Sequence, residues 1–333
     1  MKLKWLFYGA LLFIFSLSGC SEMLNEEEGA YVPHGSILVT DRQNQLVNWV
    51  DTNTGVISSV TSSTGPDPID IFISGNYAYI LSSDTSSIVK KYDLDSGKWA
   101  GTVYYPNKGY AQQIASDSKH LYISFEAGKR LEVVSIDSFT SIFSKDLSQN
   151  AQGIIYESDK VYICVSDGYS SSYTTSRIAV LSTNDLNTVT YIPSQKNPLF
   201  ITSDGKGYLY VSCAGSYAND GGITRVDTST TSTNDIVTGK SFGVIEFANN
   251  RLYVADYSGG LCVYETNGTL VTNLLDGESI SDILIDGDYA YALGGNYGEG
   301  KNIYRITLSD NVIDRTYTGV IKGDWGAAMA IYK

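Results

Sequence analysis

Histidine is scarce in this chain of 333 residues, and its scarcity limits the chemistry that the protein can support. The only two histidines are His34 and His120. A multi-histidine metal cage or a Ser-His-Asp triad needs histidines that converge on one site. The segment Gly239–Gly243 matches the pattern Gly-x-Ser-x-Gly, but the serine elbow needs a strand-to-helix turn, and this segment lies between two predicted strands. We therefore predict a protein without catalytic residues.

Cysteine is also rare. Three of the four cysteines, Cys164, Cys213 and Cys262, lie in or beside predicted strands, and Cys20 stands near the start of the chain. An odd number of cysteines without a Cys-x-x-Cys pair argues against a disulfide framework or a zinc site. We predict that the three are buried free thiols and that the protein holds no metal or cofactor.

Positive charge is in short supply. The chain has 23 basic and 36 acidic residues, a net charge of −13. If residues 1–19 are removed, two lysines go with them, and 21 basic against 36 acidic residues give −15. Such a charge argues against nucleic acid or anionic lipid as the partner.

The strongest apolar run stands at the start of the chain. Trp5–Phe15 follows two lysines and is too short to span a membrane as a stable helix. The next residues, Leu17-Ser18-Gly19-Cys20, resemble the bacterial lipobox, in which the cysteine is lipidated and becomes the new N-terminus. This resemblance implies a signal peptide over residues 1–19 and a lipid on Cys20. The alternative is an ordinary secretory signal with an incidental cysteine.

Residues 20–35 form an acidic segment without hydrophobic periodicity. We expect a disordered tether there. Acidic residues directly after the lipidated cysteine resemble the surface-export signal of Bacteroidota lipoproteins. This implies a lipid-anchored protein of the outer membrane that is exposed at the cell surface, although an acidic linker also simply keeps a chain soluble.

From residue 36 onward the chain repeats a unit of about 43 residues seven times, with no helical pattern inside the unit. This period is typical of a four-stranded propeller blade. The sequence thus predicts an all-β, seven-bladed β-propeller over residues 36–333. Its most regular marker is a turn that begins at Asp51, Asp93, Asp137, Ser182, Asp227, Glu265 and Thr307. We assign the recurring acids to the turns, where a carboxylate accepts hydrogen bonds from nearby backbone amides.

A second marker, in phase with the first, predicts how the ring closes. It lies in short apolar runs and consists of Leu38, Tyr79, Tyr122, Tyr162, Tyr210, Tyr253 and Tyr291. The first unit, residues 35–62, supplies only three strands, and Trp325–Tyr332 is a lone strand at the end of the chain. We predict that this last strand completes the first blade and leaves no open sheet edge.

The repeats differ mainly in their loops. From the second-strand marker to the next strand the spacing varies between 8 and 16 residues. Insertions in a repeat fold collect on one face, often the binding face. These loops are rich in Tyr, Ser, Gly and Asn, which are typical of recognition surfaces. We therefore expect a ligand-binding face.

Two stretches carry a family resemblance. Arg251–Tyr264 and Gly207–Ser212 resemble the repeats of YVTN or YncE-like propellers, although the YVTN tetrapeptide never appears intact. With the lipobox, the tether and a lone propeller, the chain resembles Bacteroidota cell-surface lipoproteins that capture cobalamin and pass it to a TonB-dependent outer-membrane transporter. This implies that the loop face holds the corrin ring by stacking and hydrogen bonding. The predicted ligand contacts are Tyr110, Gln152, Tyr169, Tyr217, Phe242, Tyr257, Tyr297 and Trp325.

Two other functions stay open. A surface adhesion, scaffold or glycan-binding propeller without catalytic activity would use the same loops, and a protein partner predicts a broader and flatter patch. A hydrolase or lyase would need acids or histidines clustered at the mouth of the channel. Only Asp70, Asp282 and Asp324 are candidates there.

Overall fold

The computed structural model describes residues 31–61, 64–84, 86–168, 171–296, 298–322 and 326–333. Over these ranges the chain forms 28 β-strands, as expected from alternating β-branched and aromatic residues. No helix in these ranges is long and apolar enough to cross a membrane.

The strands form seven four-stranded sheets, here called blades 1 to 7. Blade by blade, from the central channel outwards, the strands are β28 (Gly326–Tyr332), β1 (Ser36–Asp41), β2 (Leu46–Asp51) and β3 (Ile57–Thr61); β4 (Pro68–Ser74), β5 (Tyr77–Ser82), β6 (Ser86–Asp93) and β7 (Lys98–Pro106); β8 (Ala111–Ser116), β9 (His120–Phe125), β10 (Arg130–Ser135) and β11 (Thr140–Asp146); β12 (Asn150–Glu157), β13 (Lys160–Ser166), β14 (Ser176–Ser182) and β15 (Asp185–Pro193); β16 (Pro198–Ser203), β17 (Tyr208–Cys213), β18 (Gly221–Asp227) and β19 (Thr233–Lys240); β20 (Phe242–Ala248), β21 (Arg251–Asp256), β22 (Leu261–Glu265) and β23 (Leu270–Leu274); β24 (Ser279–Asp286), β25 (Tyr289–Gly295), β26 (Lys301–Thr307) and β27 (Ile313–Ile321).

The ring closes through the last strand. β28 pairs antiparallel with β1, with Ser36 opposite Tyr332 and Ile37 opposite Ile331. The Gly35 N–H donates to the Tyr332 carbonyl at 2.6 Å. The prediction that the C-terminal strand completes the first blade is confirmed, and the fold is an all-β, seven-bladed propeller.

The tyrosine marker of the second strand holds neighbouring blades together. All six tyrosines are at most 3% exposed and belong to the apolar clusters of the ring. Tyr253, for example, packs in the cluster shared by blades 6 and 7, and its hydroxyl donates to Asn311 Oδ1 of blade 7 at 2.8 Å. Each buried aromatic ring removes about 150–250 Å² from water. The repeated tyrosine therefore supplies the contact between blades.

The two faces of the ring are built differently. On the lower face, two tight turns of a blade bond to each other, as where Leu94 N–H donates to the Asn76 carbonyl at 2.9 Å. On the upper face, the loop between the second and third strands bonds to the segment that enters the inner strand, as where Tyr257 N–H donates to the Ser241 carbonyl at 3.0 Å. The variable loops thus gather on the upper face.

The acids of the marker turn have the structural role that we predicted. Each accepts a hydrogen bond from the backbone N–H two residues further on. The acceptor and donor pairs are Asp51 with Asn53 (2.8 Å), Asp93 with Asp95 (3.0 Å) and Asp227 with Ser229 (2.8 Å). Glu265 differs, since its carboxylate faces Arg251 at 3.6 Å.

The three cysteines of the propeller are buried and free, as predicted. Cys164 and Cys213 are fully buried and Cys262 is 4% exposed. Burial raises the pKa of all three thiols, that of Cys262 to about 11. A thiol that stays protonated is a poor nucleophile, so these residues act as small core side chains.

Asp117 organises the turn between the first two strands of blade 3. Its Oδ1 accepts from the N–H groups of Lys119 and His120, both at 2.6 Å, and its Oδ2 accepts from the hydroxyl of Tyr122 at 2.9 Å. Burial acts to raise the pKa of Asp117, but these hydrogen bonds outweigh it and hold the pKa below the usual 3.8.

We predict that Asp117→Ala lowers the free energy of unfolding by about 1–3 kcal/mol at pH 7, because the buried hydroxyl of Tyr122 loses its partner. Asp117→Asn keeps one acceptor oxygen and should lose less. The native pKa lies below that of the unfolded chain, so the contribution is present above about pH 4 and fades as the pH falls through the native pKa. Urea unfolding at pH 7 and pH 2.5 measures both. An equal loss for Asp117→Ala at the two pH values would contradict the charge-dependent part.

Candidate functional site

The inner strands surround the central channel, and polar side chains on them tie neighbouring blades together. Asp70, Gln113 and Asp282 each accept a hydrogen bond from a backbone N–H of the next inner strand. The donors, in the same order, are Ile114 (2.6 Å), Ile154 (3.0 Å) and Met329 (2.5 Å). The same groups border the channel, so the belt that joins the blades is also the floor of any site at the channel mouth.

A cavity of about 500 Å³ opens at the upper mouth of the channel, and we call it the polar basin. Its walls carry amides and charges. Gln112 donates to Glu126 Oε2 at 3.1 Å, and Arg42 forms two hydrogen bonds with Asp67, at 2.5 and 2.8 Å. The remaining polar residues of the basin are Asp70, Ser83, Gln113, Gln152, Ser281 and Asp282. Amide and carboxyl groups at this density suit a ligand with many hydrogen-bonding groups.

A second cavity of about 390 Å³ adjoins the basin, and we call it the aromatic pocket. The two cavities share Phe200 and Ser281 as a common wall. Tyr257 stands at the aromatic pocket with 54% of its surface exposed. Its ring meets that of Tyr217 edge to face, with 5.3 Å between the centroids. The upper face therefore offers a polar and an aromatic compartment side by side.

Three carboxyls set the electrostatics of the channel. Asp70, Glu246 and Asp282 are partly open to the channel and enclosed by protein on their other sides. Burial raises the pKa of Asp70 to about 7 and that of Glu246 to about 7, against the opposing hydrogen bonds that each accepts. Burial, and then the charges of Asp70 and Glu246, raise the pKa of Asp282 well above its usual value. The channel therefore holds protons at neutral pH.

Four of the predicted ligand residues lie at these cavities. Tyr110, which is 46% exposed, and Gln152 line the polar basin. Tyr257 lines the aromatic pocket, and Tyr217, which is 52% exposed, packs against it. The structure thus brings together residues from blades 3 to 6.

Phe242 is a correction. Its side chain is fully buried and packs edge to face against Tyr264 in the core of blade 6, with 5.8 Å between the rings. A ring in that position cannot contact a ligand on the upper face, so Phe242 leaves the candidate set. Tyr169, Tyr297 and Trp325 lie outside the described residues, as do Asp324 and the lipidation residue Cys20.

The sequence analysis missed Glu246, Arg42 and Phe200. Glu246 stands directly opposite the marker Tyr253, and Phe200 opposite Ser212. Both lie on inner strands, whereas we had searched mainly the loops. The alternation of side chains along the inner strand is the signal that could have identified them.

The two histidines lie away from the upper face. His34 Nδ1 is 2.8 Å from the Lys333 carbonyl, and its ring stacks on Tyr332 at 4.2 Å. His120 begins β9, and its ring is 3.1 Å from Asp117 Oδ2. In the described ranges, no group of three or more His, Cys, Asp or Glu residues is placed to hold a metal ion.

The serine-elbow pattern has no strand-to-helix turn. Gly239–Gly243 connects β19 to β20, as predicted. The hydroxyl of Ser241, which is 3% exposed, accepts a hydrogen bond from Asn219 N–H at 3.1 Å. Ser241 thus fixes a loop of the upper face.

No family model and no curated protein matches this sequence. Solved structures do match. A putative 6-phosphogluconolactonase from Bacteroides fragilis aligns over 90% of this chain and 98% of its own, at 13% identity and a TM-score of 0.68. A second putative 6-phosphogluconolactonase, from Bacteroides uniformis, covers 89% and 98% at 15% identity and a TM-score of 0.67. A quinonprotein alcohol dehydrogenase-like protein from Bacteroides thetaiotaomicron covers 90% and 78% at 13% identity and a TM-score of 0.67. At such identities the likeness establishes the fold, which is that of a β-propeller with structural neighbours in Bacteroides.

Proposed function

We propose that this protein is a cell-surface lipoprotein that binds cobalamin at its upper face and passes it to a TonB-dependent outer-membrane transporter. The observation that carries the proposal is the pair of adjoining cavities, of about 500 and 390 Å³. Each lies in the size range of small-molecule sites, about 300–1,000 Å³. Together they give room for a ligand much larger than a simple metabolite.

The chemistry of the face supports the same ligand class. The side chain of Gln152 lines the basin, and its backbone is fixed by the Ser124 hydroxyl, which donates to the Gln152 carbonyl at 2.5 Å. Amides such as Gln112 and Gln152 pair with the amide groups that the resemblance leads us to expect on the ligand. Exposed tyrosines add contact area at a low entropic cost, since they have few rotatable bonds.

We infer binding without catalysis. Asp70 and Asp282, the two predicted acids of the channel mouth that are described, accept backbone hydrogen bonds that join blades. Their surroundings thus give them a structural task. The names lactonase and dehydrogenase belong to the structural neighbours, and this chain shares only 13–15% of their residues.

The course of the N-terminal chain supports a lipid anchor that leaves the upper face free. Val32 is fully buried, and its N–H donates to the carbonyl of Leu94, in a lower-face turn of blade 2, at 3.2 Å. A tether from Cys20 would therefore reach the propeller on the lower face. The binding cavities open on the opposite face.

A glycan is the second candidate ligand. Glu126 and Asp67 lie in the basin with Tyr110, and carboxylates beside an aromatic ring also suit sugar hydroxyls. A glycan would occupy the same face without the cobalamin-specific hand-off.

The test is a titration of the chain from Ser21 onward with cyanocobalamin, followed by co-elution of the corrin absorbance with protein on a sizing column. This chain keeps every apolar cluster of the ring, since they lie between Val32 and Tyr332. We expect retention at one ligand per protein. Tyr110→Ala should weaken binding by about 1–4 kcal/mol, whereas Tyr104→Ala, at a 68% exposed residue of the outer strand β7, should not. The absence of retention at micromolar protein would refute cobalamin as the ligand.

A further inference from the structure

The aromatic pocket differs in chemistry from the polar basin beside it. Its walls are the apolar side chains of Phe200, Val244, Ala255 and Ile280, with the ring of Tyr257. Val244 and Ala255 are about 95% buried, so the floor of the pocket belongs to the core of blade 6. The pocket is therefore an apolar recess that opens on an otherwise polar face.

The pocket presents no free charge. Among its described lining residues, Asp256 alone is charged. Its Oδ1 accepts from the N–H and the hydroxyl of Ser258, at 2.8 and 2.6 Å, and its Oδ2 pairs with Lys240 Nζ at 3.2 Å. The carboxylate is only 3% exposed. A ligand group in the pocket thus meets apolar carbon and serine hydroxyls.

One wall of the pocket is bare backbone. A Cβ atom on Gly259 would stand 3.1 Å from Gly277 Cα, so the two backbones are nearly in contact. Gly259 has φ +109°, a conformation that L-residues with side chains rarely adopt. Because no side chain projects from this wall, it is flat.

The opposite wall is an aromatic pair that is already in place. Tyr257 is fixed by its N–H, which donates to Ser241, and by the edge of the Tyr217 ring. Beneath it lies Gly243, where an added Cβ would be 3.6 Å from Tyr257 Cζ. Half of the Tyr257 surface stays exposed, so its ring adds little to the core. A preformed aromatic surface of this kind lowers the entropic cost of binding.

We propose that the aromatic pocket is a subsite for a flat, uncharged aromatic ring, which packs against Tyr257 and Phe200 while the polar groups of the same ligand occupy the basin. This assignment rests on the proposed function in that the ring belongs to the captured ligand. A pyranose would need several hydrogen-bond partners for its hydroxyls, and the carboxylate of Asp256 is already engaged. The chemistry of the walls therefore favours an aromatic ring over a sugar.

The experiment uses benzimidazole as the aromatic probe and methyl α-glucopyranoside as the sugar probe, each alone, in saturation-transfer NMR with the chain from Ser21 onward. We expect saturable binding of benzimidazole and none of the sugar. Gly243→Leu, which fills the space under Tyr257, should weaken benzimidazole binding at least about tenfold. Gly243 does not have a left-handed φ and its Cβ contacts would be ordinary. Tyr257→Ala is a second variant with the same expected loss, and Tyr208→Ala, 37% exposed on blade 5, is the matched control.

Equal benzimidazole binding in the wild type, Gly243→Leu and Tyr257→Ala, or no binding to the wild type, would overturn the subsite. Preferential binding of the sugar would overturn the ring class. The outcome is separable from that of the proposed function. Retention of cyanocobalamin without benzimidazole binding removes only the subsite, whereas benzimidazole binding without cobalamin retention supports the subsite and refutes the vitamin.

Discussion

Tyr332→Ala is expected to lower the free energy of unfolding by about 3–5 kcal/mol, the cost of removing a large buried aromatic side chain. Tyr332 is 1% exposed and lies in the closing strand β28, one residue from the end of the chain. It packs in the cluster formed by blades 1 and 2. A loss of this size from the penultimate residue would show that the last strand is an integral part of the ring.

The contacts of Tyr332 explain the expected loss. Its hydroxyl donates to Asp95 Oδ1 in blade 2 at 2.6 Å, its ring stacks on His34, and its carbonyl accepts from Gly35 N–H. The side chain thus joins the first and last residues of the propeller to the neighbouring blade. Tyr332→Phe keeps the packing and loses only the hydrogen bond, so we expect about 1–2 kcal/mol for it.

Urea unfolding followed by circular dichroism measures both variants. Tyr31→Ala is the control, because Tyr31 is nearby in sequence but 57% exposed, and it should leave the unfolding midpoint unchanged. If Tyr332→Ala behaved like Tyr31→Ala, the closing strand would not contribute to the stability of the ring in solution.

The fold was predictable because each blade solves the same local problem. The turn acids and the second-strand tyrosines recur since every blade needs the same tight turn and the same contact with its neighbour. Closure was predictable from a count of strands, because the first unit is one strand short and Gly326–Tyr332 has no other partner. Local patterns repeated seven times are read more safely than any one of them.

The site was less predictable because it depends on where the strands are irregular. Phe242 looked like a loop residue that faces the ligand, but the register between β20 and β21 shifts between Phe242 and Ile245. After such a bulge, simple alternation no longer tells which face a side chain takes. Tyr217 and Tyr257 were found because they stand on loops, whose composition alone marks a recognition surface.

The second large effect that we predict comes from the charge of the channel. The triple variant Asp70→Asn, Glu246→Gln, Asp282→Asn should be more stable than the wild type by about 2–4 kcal/mol at pH 8. Each amide keeps an oxygen that can accept the existing hydrogen bond, so the belt between blades remains. What is removed is the cost of holding three carboxylates in a narrow channel where burial and mutual repulsion disfavour ionisation.

The pH dependence has a definite sign. The native pKa of Asp70 and that of Glu246 are each about 7, above the ordinary values of 3.8 and 4.5. The native state therefore binds more protons than the unfolded chain between about pH 4 and 7. The stabilisation from these protonated groups is complete below about pH 4 and is lost as the pH rises through 7. The wild type should thus weaken from pH 5 to pH 8, and the triple variant should lack this component.

Urea midpoints at pH 5 and pH 8 test the prediction, with the difference between wild type and triple variant as the readout. Asp93→Asn is the matched control, because hydrogen bonds from Ser96 and Asp95 outweigh burial and keep the pKa of Asp93 below its usual value. Asp93 stays ionised from pH 5 to pH 8, so its substitution should not alter the slope. If the triple variant and the wild type had the same slope, the three carboxyls would be ordinarily ionised groups in a well-hydrated channel. A reduced slope would mean that the floor of the polar basin is largely neutral when it meets its ligand.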